Sequence, residues 1–150
     1  MQVVIGIDPG SSGGIVRLDG RAPPLAEPMP KTERDLWLLV HRWCGGIGHA
    51  FIEHVHSMPK QGVASTFTFG VNYGLLRMAL IASGTSFEKV QPTKWQREFG
   101  LLKRGDETKV AKKNRHKAVA QELFPSVKIT HAIADALLIA EWGRRQQEKR

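Results

Sequence analysis

Hydrophobic and polar positions along this chain switch repeatedly between a strand-like and a helix-like spacing. Residues 3–7 form a short, β-branched apolar run that stops at Asp8-Pro9-Gly10, the pattern of a buried strand entering a turn. The apolar signal returns in Ile15-Val16-Arg17-Leu18 and ends at Asp19-Gly20, which predicts a hairpin. The prolines of residues 22–30 leave room for at most one short edge strand, because proline cannot donate to a ladder. Thr32 then caps a helical pattern, Leu36, Leu39, Val40, Trp43, closed by Gly45-Gly46. Residues 49–55 read as a central strand with Glu53 near its end, followed by a polar loop, 56–61. A helix is expected over 63–82, where Gly70 and Gly74 each cost about 1 kcal/mol relative to Ala. A strand over 87–90, a short helix opening at Pro92, a basic helix over 109–123 ended by Pro125, and an amphipathic helix over 131–146 complete the chain.

A length of 150 residues fits one domain, and a domain of that size buries enough surface to hold a core without staples. The single cysteine, Cys44, excludes an internal disulfide framework. No apolar run approaches the roughly 20 residues of a membrane span, and the start lacks a signal-peptide pattern, so a cytoplasmic protein with no membrane partner is expected. The net charge of +8 is unevenly placed: residues 101–150 hold 12 Lys and Arg against 6 Asp and Glu. Such clustering is either the footprint of a phosphate-backbone binder or a solvated helix face.

Four residues stand out as candidates for chemistry. Asp8 ends a buried strand, where an unpartnered carboxylate costs several kcal/mol, so that it either meets a partner such as a metal ion or caps its own turn. The glycines that follow it fit neither the GxGxxG nor the P-loop pattern. Glu53 lies among Phe51, Ile52 and Val55, and if its strand lies beside the first, the two carboxylates converge at one sheet end. The alternative is an exposed strand-end Glu. His131 and Asp135, four apart at the start of the last helix, share a helix face one turn apart, as joint metal ligation requires. Alternatively, Thr130 caps this helix and Asp135 is a surface residue. The other histidines, His116 among them, have no comparable spacing and read as surface or structural. An oxygen-rich set of this kind suits Mg²⁺ or Mn²⁺ better than zinc.

IGIDPGSSGG with Asp8, FIEHVH with Glu53, and HAIADALLIAEWG with His131 and Asp135 together resemble the RuvC-type Holliday junction resolvases of the RNase H-like superfamily, shorter phage-borne members above all. The resemblance runs almost the whole chain, taking in GVASTFTFGVNYGLL, VQPTKWQREFGL and KNRHKAVAQELFP. It implies a single-domain α/β fold, a mixed β-sheet flanked by helices, and a homodimer in a bacterial cell that nicks opposed strands of a four-way DNA junction. It also implies two Mg²⁺ ions, replaceable by Mn²⁺. Asp8 would bridge them, Glu53 would hold one, and His131 with Asp135 the other. The chain departs from many bacterial members by spacing its last two site positions four apart and by placing His131 first of them. His56 stands where the family can carry an aromatic wedge, with Met58 as the other candidate.

The DNA contacts expected are His56, Lys60, Lys109, Lys112, Lys113, Arg115 and Lys117, the last five giving the basic helix its charge. The 63–82 helix carries more apolar residues than one core face uses, with Val63, Phe67, Val71 and Leu75 at four-residue spacing and Phe69, Tyr73 and Leu76 on an adjacent stripe, and it is the expected dimer contact. Competing classes are a nuclease for other branched DNA or flaps, a sugar-kinase or actin-like ATPase, which needs two lobes where this length supplies one, and a non-enzymatic DNA-binding protein.

Overall fold

The N-terminal apolar run is β1 (Val3–Asp8), the central strand of a five-stranded sheet in the order β3-β2-β1-β4-β5. In this computed structural model, which describes residues 3–20, 22–56 and 59–150, β2 (Gly14–Leu18) and β3 (Leu25–Pro28) pair antiparallel to one side of β1. On the other side β4 (Gly48–Glu53) and β5 (Ser86–Val90) run parallel to it. Met58 lies outside the described residues. The prolines do leave one short edge strand, β3, and β4 stops at Glu53.

Period-two alternation splits the core in two. Ile5, Ile7, Ala50 and Ile52 face α1 (Glu33–Cys44) and α2 (Val63–Ala82), packing on Leu36, Leu39, Val40, Leu76 and Leu80. Val4 and Phe51 face the other way, onto α5 (His131–Glu148) together with α3 (Pro92–Glu98) and α4 (Lys109–Leu123). The sheet is therefore covered by helices on both faces, as expected of a mixed α/β domain. Thr32 caps α1 by accepting from the Asp35 N–H at 3.1 Å. The strand and helix bounds otherwise follow the hydrophobic pattern closely; α5 runs two residues further, its last turn tied by Arg144 to Glu141 and Glu148.

Close packing of backbone on backbone decides where α5 sits. A Cβ on Gly6 would collide with the Ala136 carbonyl and the Ala140 amide, and one on Gly143 would collide with the Phe51 ring. The small residues of α5 thus let its backbone lie directly on β1 and β4, which carries the first turn of α5 to the carboxyl end of the sheet. Among the described residues no helix is long and apolar enough to cross a membrane.

Candidate active site

The β1–β4 register pairs Gly6 with Phe51 and Ile7 with Ile52, so its next step sets Asp8 beside Glu53. Alternation puts both on the α5 face, at the carboxyl ends of parallel strands. Asp135, just ahead of the Ala136 that lies over Gly6, joins them from the second turn of α5. Glycines shape the loop after β1 as well: a Cβ on Gly13 would collide with the Asp8 carbonyl, and the Gly13 N–H closes a turn on the Gly10 carbonyl at 2.8 Å. Asp8 Oδ1 accepts from the Gly10 N–H only at a long 3.5 Å, so turn capping leaves most of its acceptor capacity unused.

Burial and mutual repulsion dominate the electrostatics. Desolvation, then the charge of Asp135, pushes the Asp8 carboxyl up to about 6. Desolvation, then the charges of Asp8 and Asp135, pushes Glu53 up to about 8. Asp8 loses its proton first, so its charge bears on Glu53 while Glu53 is still neutral when Asp8 titrates. Lys113 partly offsets the effect at Asp8, and Lys112 at Glu53. Carboxylates so arranged call for a cation, and their hard oxygen donors fit Mg²⁺ or Mn²⁺. Among the described residues no three His, Cys, Asp or Glu side chains form a finished metal cage.

The remaining expected site residues divide. His131 is exposed at the start of α5 and its Nε2 hydrogen-bonds Asn114 Oδ1 at 2.9 Å, so this structure pairs it with α4 and not with the carboxylates. Lys112 and Lys113 stand at the site, nearer than their place in the sequence alone requires. Arg115 donates to both Glu107 oxygens, at 2.7 and 2.9 Å, and to the carbonyls of Gly100 and Leu102. Those bonds hold residues 100–107 onto α4. Lys109 is exposed and Lys117 half-buried on α4; Lys60 is exposed in the loop before α2, at a φ of 67°.

Three residues beyond the sequence-based set belong to the site. Trp95, fully buried on α3, donates its Nε1–H to Glu53 Oε2 at 2.9 Å. His116, buried on α4, hydrogen-bonds Asp135 Oδ1 through Nδ1 at 2.7 Å. Phe69 turns from the α2 stripe into a mostly apolar cavity of about 470 Å³, shared with Glu53, His54, Val55, His56, Gln61 and Pro92. Trp95 on a short helix and His116 on a basic one have no periodic signature, and Phe69 reads as part of an apolar stripe; only the pairing of distant elements brings these three to the site.

The sequence matches no protein-family model and no curated protein. Solved structures that resemble the whole chain include the Thermus thermophilus RuvC structure, at TM-score 0.61 and 18% identity, covering 97% of this chain and 96% of that one. They also include T. thermophilus RuvC in complex with Holliday junction substrate, at TM-score 0.66 and 18% identity, covering 99% and 96%. With the same mixed sheet and flanking helices matched from end to end, the chain has the RuvC fold, an RNase H-like α/β architecture.

Proposed function

We propose that this chain is a metal-dependent endonuclease that resolves four-way DNA junctions, acting as a homodimer with Mg²⁺, for which Mn²⁺ substitutes. The observation that carries this reading is the convergence of Asp8, Glu53 and Asp135 at the carboxyl end of the sheet, where burial and mutual repulsion drive Asp8 and Glu53 toward protonation in the absence of a cation. It occurs in a fold shared with a protein solved in complex with Holliday junction substrate.

Asp8, Glu53 and Asp135 would together hold the metal ions. When bound, a pair of such ions activates a water and stabilises the leaving 3′ oxygen of a phosphodiester. Lys112 and Lys113 draw the phosphate backbone toward carboxylates that would otherwise repel it. His131 completes the Asp135 side once Asn114 releases it, or through Nδ1. The cavity beside Glu53 offers the Phe69 and His56 rings to a base unstacked at the branch point.

A nicking assay on a synthetic four-way junction, with and without Mg²⁺, tests the reading against linear duplex and flap controls. Paired nicks in the junction alone are expected, and Asp8→Asn should abolish them while junction binding survives or tightens. Equal cleavage of flaps would move the assignment to a general branched-DNA nuclease. No cleavage of any substrate with either ion would overturn it.

A further inference from the structure

Glu53 and Asp135 share the site with Asp8, and each is gripped by a different member of one ring pair. Trp95 donates to Glu53 at 2.9 Å, His116 bonds Asp135 at 2.7 Å, and the two rings meet edge to face with centroids 5.4 Å apart and planes at 79°. Both rings are buried, Trp95 wholly and His116 to 3% exposure, so neither has freedom to let its carboxylate swing. We propose that Trp95 and His116 are positioning residues that act as one brace, setting Glu53 and Asp135 at a fixed separation for divalent cations; the inference rests on the metal-dependent reading above.

His116 Nε2 separates bracing from mere packing. It is buried without a hydrogen-bond partner among the described residues. A buried polar atom left unsatisfied is unfavourable, and an aliphatic side chain of similar size would leave no such atom. The imidazole is therefore a poor choice for packing alone, and the one polar contact it makes is to Asp135. Carboxylate ligands are commonly fixed by such partners, whose loss typically weakens metal affinity about 10- to 100-fold. Trp95 serves Glu53 the same way: its single N–H is spent on the carboxylate.

Mn²⁺ binding to the full chain without DNA, measured by titration calorimetry beside the melting temperature, tests the brace. Trp95→Phe keeps the ring and removes the N–H. His116→Asn keeps a donor near the Nδ1 position, whereas His116→Leu fills the space without one. Trp95→Phe and His116→Leu should each weaken Mn²⁺ binding at least about 10-fold. His116→Asn should bind within about threefold of the unaltered chain even though His116→Leu melts higher, an inversion that a packing role does not produce. Affinity that simply follows melting temperature across the variants, or Trp95→Phe and His116→Leu binding as tightly as the unaltered chain, would overturn the brace and leave the metal site standing. An unaltered chain that binds no Mn²⁺, with Asp8→Asn indistinguishable from it, would overturn the metal-dependent reading itself.

Discussion

Asp135 raises the proton affinity of Asp8 across the contact where α5 lies on β1 without an intervening side chain. The glycine at position 6 makes that approach possible, so Gly6→Ala forces helix and strand apart. The expected loss is roughly 1–3 kcal/mol, the usual cost of overpacking a core. A lower urea midpoint at unchanged slope would show it.

Stability should depend on pH with an uncommon sign. The unfolded chain releases carboxyl protons near pH 4, whereas folded Asp8 and Glu53 hold theirs to about 6 and 8. Between those limits the folded state binds more protons, so without metal stability falls as pH rises from about 4 to about 8. Glu107 and Glu141, held below the ordinary range by arginine partners, act oppositely, but their contribution is complete above about pH 4 to 5; His49, lowered by burial, also opposes the trend below about pH 6.5 and is one group against two. Thermal melts in chelator should give a higher midpoint at pH 5 than at pH 8. Asp8→Asn should flatten the difference, and Mg²⁺ should raise the pH 8 midpoint more than the pH 5 one.

The cations of α4 should separate into two kinds. Alanine at Lys112 and Lys113 should reduce the salt dependence of junction binding by roughly 0.9 for each phosphate that is no longer neutralised. It should also slow cleavage near neutral pH, since both lysines offset the repulsion at Glu53 and Asp8. Arg115→Ala should instead lower the melting temperature and leave the salt slope of the folded protein unchanged, because its guanidinium is tied to Glu107 and two carbonyls. Binding titrations at several salt concentrations, run beside thermal melts, check both expectations.

Much of this architecture is legible in the sequence. β1 and β4 stand out as near-continuous apolar runs because both faces of the sheet are buried, and Thr32 announces α1 through a local bond to Asp35. Asp8, Glu53 and Asp135 can be picked out because each carboxylate interrupts or borders an apolar run. His116 cannot: α4 is polar on nearly every side, and the burial of one histidine comes from α5, nineteen residues on. Arg115 reads as one more cation in a basic run because Glu107 lies across a turn, not at helical spacing. His131 sits on the face its spacing predicts, but Asn114 on the neighbouring helix claims its Nε2.

The outer face of α2 should mediate self-association. Val63 and Phe67 are 88% and 73% exposed, and Val71, Met78 and Ile81 are exposed as well, whereas Leu75 and Tyr73 turn partly into the core. Light scattering at micromolar concentration should give the mass of a dimer. Phe67→Glu should give a monomer with little change in melting temperature, since that side chain contributes almost nothing to the folded protomer.

Placing Asp135 on α5 ties chemistry to the slowest-opening part of the molecule. Residues 136–140 of this helix are wholly buried against the sheet, so their amides should exchange hydrogen only when the entire domain unfolds. A site mounted there has little scope to reshape itself around its substrate. For the junction resolution proposed above, accommodation would then fall to the DNA, and this half of the centre would serve as a fixed wall for it.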